Sequence, residues 1–347
     1  MEKLILRLSI CIPVYNCGYY LSQALNSILG QTTKETEVIV FDGGSTDNTQ
    51  ELMVSFLSDW PNLRYERALQ RGGIDLDMAK CVDFANGEYC WLFSGDDVMR
   101  QGSIEAIFTW LDLGLDVYIS KHTICDKNLK VLHGHPVLKK NMLQIADLSV
   151  SSERIKWFDS AATTEAFFSF MSGLVVNTKK WRSTSLPSLF TGSCWGHVAR
   201  LFELSHHGLR VCYIPQILLD QRGENDSFMQ LGYVNRFRIA IEGYGKMGKH
   251  YYGENSKEAF HIRRVLRNEF SVFAFLKAKY FTWHAPALEN RKILDDLVSD
   301  IYQDFSIINV LNKYIYYLFP PPLFILLQPI YKPIKSVRRF FKYRFSK

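Results

Sequence analysis

Two acidic clusters are the features of this 347-residue chain with the clearest chemical use: Asp42-Gly43-Gly44-Ser45-Thr46-Asp47 and Ser94-Gly95-Asp96-Asp97. Adjacent carboxylates repel each other and are costly to desolvate unless a cation offsets them. A hard divalent ion with oxygen ligands suits Asp96 and Asp97, and it would leave positions open for phosphate oxygens. The plainer alternative is a helix cap with a second acid favouring the helix dipole. Asp42 can accept hydrogen bonds from a ring N–H or exocyclic amine of a nucleobase, or it can serve a simple Asp-Gly turn. Pro13 and Asn16 close a third short stretch, where backbone and amide groups could contact a base or ribose.

These clusters need elements to position them. Residues 8–15, 36–41 and 88–93 are short apolar runs suited to strands buried on both faces. Weaker strands are expected at 63–66 and 116–120. Helical spacing appears at Leu21, Leu25, Ile28 and Leu29, at Leu52, Met53, Phe56 and Leu57, and around 74–85 and 103–113. The β-α-β-α order predicts an α/β fold with a mostly parallel, Rossmann-like sheet. Ligands of such sheets bind at the carboxyl ends of strands, where both acidic clusters fall. Beyond residue 120 the alternation fades. A hairpin near 126–128, a helix at 164–170, a strand at 173–177, a helix at 195–207 and a strand at 211–219 are expected. The organisation read from this is an α/β half (1–120), a second half of the same domain (121–230) and a C-terminal helical region (231–347).

Together, Pro13-Val14-Tyr15-Asn16, the Asp42–Asp47 stretch, and Gly87-Glu88-Tyr89 leading to Asp96-Asp97 resemble family 2 glycosyltransferases of the glycosyltransferase A fold. The resemblance implies that Asp42 binds the nucleobase, that Asp96 lies near ribose and metal, and that Asp97 is a metal ligand. Which acid takes the metal directly stays open. Many relatives carry a further acid two places before the pair, where this chain has Ser94. The metal, Mn or Mg, would then lean more on the diphosphate. The implied nucleotide-binding set is Pro13, Tyr15, Asn16, Asp42, Arg71, Asp75, Ser94, Asp96 and Arg222.

Residues 86–97, 191–198 and 222–228 also resemble the narrower group of abequosyltransferase-like enzymes of bacterial O-antigen assembly. That likeness implies a 3,6-dideoxyhexose, abequose from CDP-abequose, passed to a polyprenyl-diphosphate-linked oligosaccharide with inversion. A UDP-, GDP- or dTDP-sugar donor, or a non-catalytic nucleotide-sugar-binding scaffold, are the alternatives. Counting back from His207-Gly208 places His197 where the family's catalytic acid normally stands. A neutral imidazole can act as general base; a surface or capping histidine is the competing reading. Asp159, Glu165, Asp220 and Glu224 are the other candidates. Arg222, just past a predicted strand, could hold the donor diphosphate or be a solvated loop arginine. Arg71 and Asp75 sit where relatives approach the nucleotide.

Composition narrows the setting. The net charge is +6, and residues 332–347 hold seven basic side chains and no acid. Subtracting those seven leaves −1 for the body, which argues against a nucleic-acid partner. Seven cysteines without CxxC pairs read as free thiols, in keeping with a cytoplasmic setting. Residues 323–331 are apolar but too short to span a bilayer. Ile334, Val337, Phe341 and Phe345 then recur at helical spacing among the basic residues. This pattern suits an amphipathic helix on the inner membrane surface, or a helix packed on the protein.

Overall fold

The computed structural model describes residues 6–225, 228, 231–286 and 290–327. The amphipathic stretch expected after residue 331 lies outside them. The chain divides into two compact units: Met1–His135, Met142–Arg154 and Phe168–Asn225 form one, and Pro136–Asn141, Ile155–Phe167 and Asp226–Lys347 form the other.

The first unit is built on one ten-stranded sheet. Its strands are β1 (Leu8–Val14), β2 (Thr36–Asp42), β3 (Leu63–Arg67), β4 (Tyr89–Leu92), β5 (Val98–Met99), β6 (Val117–Cys125), β7 (Val131–Gly134), β8 (Gln144–Asp147), β9 (Leu174–Asn177) and β10 (Arg210–Gln221). The main α-helices among the described residues are α1 (Gly18–Leu29), α2 (Thr49–Leu57), α3 (Ile74–Asp83), α4 (Ser103–Leu111), α5 (Ser151–Ser160), α6 (Thr178–Arg182), α7 (Gly196–Leu204), α8 (Tyr233–Tyr252), α9 (Lys257–Glu269), α10 (Val272–His284), α11 (Arg291–Ile301) and α12 (Ile307–Leu318).

The main path of the sheet runs β3-β2-β1-β4-β9-β6-β10-β5. Strands β3, β2, β1 and β4 are parallel, as expected from their apolar runs. Every residue of β1 and β2 is buried, so both faces of the sheet are covered there. Strand β9 then enters antiparallel between β4 and β6, and β10 rejoins parallel to β6. The chain goes β1-β2-β3 to one side and returns to place β4 on the other side of β1. That reversal is the switch point at which α/β sheets bind ligands.

Several boundaries differ from those expected from sequence. The strand expected at 116–120 extends to Cys125, and the one expected at 211–219 runs from Arg210 to Gln221. Its register against β6 shifts between Ile214 and Leu219, around Pro215, which has no N–H to give a ladder. The helix expected at 164–170 is a single 3-10 turn, Thr164–Phe167. It ends before Phe168, whose φ of 68° is left-handed and breaks a helix.

The second unit gathers the last five helices with two segments from mid-chain. Arg264 Nη2 donates to the carbonyls of Phe158, Asp159 and Ala161, each at 3.0 Å. Glu269 accepts the backbone N–H of Thr164 at 2.7 Å. The side chains of Arg263 and Arg267 both pair with Asp304.

Candidate active site

The site is assembled from the loops that leave β1, β2 and β4. Gly44, at φ 86°, makes the turn after β2 and needs the freedom of glycine there. Asn16 adopts φ 52°, tolerated by a short amide side chain. Its backbone N–H donates to Ser45 Oγ at 2.8 Å, and its Oδ1 accepts from Thr46 N at 2.8 Å. The two loops are thereby clipped together. Asp47 reinforces the clip by accepting from Gly18 N and Thr49 N, both at 3.0 Å. Burial opposes ionisation of Asp47, but these bonds and one from the Thr49 hydroxyl hold its carboxyl below the usual range.

Asp42 is fully buried at the end of β2. Its Oδ1 accepts from Ser45 N at 2.7 Å and its Oδ2 from Tyr65 Oη at 2.6 Å, with Arg67 Nε 3.3 Å away. Pro13 is buried within β1, and Tyr15 follows that strand with Arg71 stacked over its ring, Cζ to centroid 4.1 Å. Asp77, which no sequence motif singles out, lies beside this corner. A Cβ at Gly43 would come within 2.4 Å of its Oδ2, so the acid occupies the space a side chain at 43 would need. Its Oδ1 is buried and finds no hydrogen-bond partner among the described residues. Burial raises the Asp77 carboxyl above its usual range, against the nearby Lys80 and Arg71 charges.

The acid pair lies just past β4. Asp96 is half-buried and Asp97 is 2% exposed. Ser94 donates its hydroxyl to Asp96 Oδ1, and Asn225 Nδ2 donates to Asp96 Oδ2. Asp97 Oδ2 accepts from the Ser172 hydroxyl at 2.6 Å and Oδ1 from Arg222 N at 3.0 Å. Burial first, then the Asp96 charge, pushes the Asp97 carboxyl well above the usual carboxylate range, against these two bonds. The donor set consists of hard carboxylate oxygens, one of them forced out of water beside a like charge. A divalent cation fits it, because a double positive charge removes the repulsion. Asp96 offers the accessible oxygens and Asp97 the charge behind them.

Arg222 is not a solvated loop residue. It is 5% exposed. Nε donates to Asp96 O at 2.9 Å, Nη1 to Lys127 O at 2.7 Å and Nη2 to Gln23 Oε1 at 2.6 Å, while Cζ lies 4.6 Å from the centre of the Tyr20 ring. Three of the five guanidinium donors therefore tie the acid loop to the turn after β6 and to α1.

Asp75 has a role that sequence could not reveal. It is 6% exposed at the start of α3. Its Oδ2 accepts from Gly192 N at 2.8 Å and Cys194 N at 3.0 Å, and its Oδ1 from Gly196 N at 2.8 Å. The first amide of α7 and two amides of the turn before it are thus satisfied by an acid more than a hundred residues earlier. Gly196 permits the approach, since a Cβ there would sit 3.0 Å from Asp75 Cβ. His197 is the second residue of α7, and its Nε2 lies 3.1 Å from Phe168 O. A carbonyl can only accept, so Nε2 carries the proton of the neutral ring and Nδ1 holds the lone pair. Burial lowers the His197 pKa, opposed by the Asp75 charge and the carbonyls of Phe168 and Ser169.

Phe168, which orients His197, and Ser172, which holds Asp97, are four residues apart. A chain of that length spans at most about 14 Å, so one short segment brings the imidazole and the acid pair into one region. The other acids are placed differently. Asp220 is ion-paired with Arg100 at 2.7 Å, and Glu224 is exposed at φ 62°. Asp159 and Glu165 belong to the second unit. Asp75→Asn should lower melting stability by about 1–3 kcal/mol through lost charged hydrogen bonds. Transfer should fall while nucleotide affinity stays near normal. Calorimetry and steady-state kinetics on the variant check this, and a selective loss of nucleotide affinity would make Asp75 a donor ligand instead.

Residues 9–161 match the model of glycosyl transferase family 2. The chain is 29% identical over 272 residues to abequosyltransferase RfbV of Salmonella typhimurium, covering 76% of this chain and 80% of that one. Glycosyltransferase GlyG of Streptococcus pneumoniae is 32% identical over 101 residues, 29% of this chain and 34% of its own. Among solved structures, S. aureus TarS 1-349 in complex with UDP-GlcNAc has a TM-score of 0.59 at 15% identity, covering 94% of this chain and 92% of that one. Mannosyltransferase PcManGT of Pyrobaculum calidifontis, in complex with GDP-Man and Mn2+, has a TM-score of 0.51 at 14% identity, covering 88% and 77%. With the glycosyltransferase A-like sheet and the strand-end acids in place, the chain is a nucleotide-sugar glycosyltransferase whose residues 9–161 match the model of glycosyl transferase family 2.

Proposed function

We propose that this enzyme transfers a 3,6-dideoxyhexose, abequose from CDP-abequose, to a polyprenyl-diphosphate-linked oligosaccharide. The observation that carries the chemistry is the 168–173 segment, which binds both His197 and Asp97. The likeness to abequosyltransferase RfbV supports the donor sugar. In the proposed reaction the acceptor oxygen attacks the anomeric carbon and the bond to the donor phosphate oxygen breaks, with inversion. His197 takes up the acceptor proton. Asp96 and Asp97 would hold a Mg2+ or Mn2+ ion, which when bound supplies positive charge to the departing nucleoside diphosphate. Asp42 reads the base, with Pro13, Tyr15, Asn16 and Arg71 around it, and Ser94 and Arg222 fix the acid loop under the diphosphate. The seven free cysteines favour a reducing, cytoplasmic compartment, and the basic residues after 331 favour the inner membrane face.

A thermal-shift panel of nucleotides and nucleotide sugars tests this. A ligand at a hundred times its Kd stabilises by about 2.7 kcal/mol. CDP and CDP-sugars should give the largest shift, and the shift should grow when Mg2+ or Mn2+ is added. A larger response to UDP, GDP or dTDP would keep the residue roles and change the donor. A shift without donor hydrolysis or transfer would leave a binding scaffold.

A further inference from the structure

Helix α12 presents its apolar side outward. Ile307, Ile308, Leu311, Tyr314, Ile315 and Leu318 recur at helical spacing, and all are exposed, Ile308 at 71% and Leu318 at 75%. Phe305, just before the helix, is 94% exposed. The inward side is held by polar contacts. Asn309 Nδ2 donates to Asp304 O at 2.7 Å, and Tyr316 Oη donates to Asp295 Oδ1 at 2.6 Å. Lys279, 2% exposed, donates to the carbonyls of Tyr316, Tyr317 and Phe319, which satisfies the last turn of the helix. The usual arrangement of a surface helix, apolar in and polar out, is reversed, and the helix is fastened in that orientation.

What covers such a face is indicated by charge. Between 305 and 327 the only charged residue is Lys313, and residues 328–347 then carry seven basic side chains and no acid. A second copy docked on this stripe would bring two such strongly positive segments together. An anionic surface with an apolar layer beneath it matches both features. No single described helix is long and apolar enough to cross a membrane; α12 passes that test only together with Pro321–Leu327, across a bend of 102°, and its own twelve residues reach only about 18 Å. The helix therefore suits lying in the plane of the interface.

We propose that α12 is a membrane-docking element, seating Phe305, Ile307, Ile308, Leu311 and Leu318 among acyl chains while the basic residues beyond it engage anionic headgroups. This rests on the inner-membrane reading above and assigns its apolar part to a helix instead of to the tail. The test is flotation of the full-length protein with vesicles of phosphatidylcholine alone or mixed with phosphatidylglycerol, at about 0.1 M and about 1 M salt, where screening lengths are roughly 10 and 3 Å. Wild type should float with the mixed vesicles and be partly retained at high salt. Ile308→Ser/Leu311→Ser/Leu318→Ser should lower high-salt partitioning at least about tenfold, with unchanged circular dichroism, melting temperature and nucleotide binding. Replacing the seven basic residues with Gln should weaken low-salt binding and leave the high-salt fraction intact. Equal flotation of wild type and the triple variant would overturn the proposal. So would earlier melting of the triple variant, which would mean that the face is covered by the chain itself. A wild-type dimer that the triple variant dissociates, with no vesicle binding, would make it a subunit contact. Donor hydrolysis by the same proteins tests the transferase reading separately, since it needs no vesicle.

Discussion

Asp97→Asn is expected to abolish transfer, to below about one hundredth of wild type, and to raise the melting temperature measured without divalent metal. The two effects share one origin. The Asp97 carboxyl is buried beside Asp96, and its pKa lies well above the usual carboxylate range. Between the unfolded value, about 3.9, and that raised folded value, the native state binds more protons than the unfolded state. Stability therefore falls as pH rises through this window, and the whole cost is present above it. Asparagine removes the charge and keeps the shape. Its oxygen still accepts from Arg222 N, and its amide can donate to Ser172 Oγ, which already accepts from Ser94 N at 2.9 Å. The gain should be about 2–4 °C per kcal/mol, fullest at neutral pH and absent below about pH 4. Mg2+ or Mn2+ should stabilise wild type more than the variant in the presence of nucleoside diphosphate. An active variant with an unchanged metal response would remove Asp97 from the metal site.

His197→Ala should lower kcat by about 10²–10⁴-fold and leave donor affinity nearly unchanged. The folded imidazole has its pKa lowered by burial, so it is neutral at pH 7 and able to accept a proton. Wild-type activity should fall on the acid side with a midpoint below the ordinary histidine value of about 6.5. That limb should be missing from the residual activity of the variant. His197→Gln distinguishes chemistry from architecture, because its amide can still donate to Phe168 O but cannot act as base. If His197→Gln keeps normal turnover, the histidine only anchors the segment.

The corner where β1, β2 and β4 end is largely legible in the amino-acid sequence. Strands buried on both faces read as continuous apolar runs, and β1, β2 and β4 each end near a turn carrying polar or acidic residues. What escapes a sequence reading depends on partners distant along the chain. Nothing near Asp75 indicates that it caps α7, 121 residues later, and nothing near Ser172 marks it as the donor to Asp97. The two-residue β5 and the half-exposed β8 carry too little pattern to be read. The place of β9 between β4 and β6 is a long-range pairing that local propensity does not encode. Asp77 is visible as a residue, but its place in the space beside Gly43 emerges only in the fold.

The interleaving of the two units limits how this enzyme can be divided. Segments 136–141 and 155–167 lie between stretches of the sheet unit, yet they group with the C-terminal helices. Phe158 packs against Tyr252, and Tyr244 Oη donates to Phe167 O at 3.1 Å. Trp157, Phe158 and Phe167 are each at most 1% exposed. A fragment ending at residue 225 would keep every strand of the sheet and still carry these aromatics stripped of their cover, an invitation to aggregate. Exchanging the second unit between relatives by joining two linear pieces would fail for the same reason. A working chimaera would have to move three separate stretches of chain together.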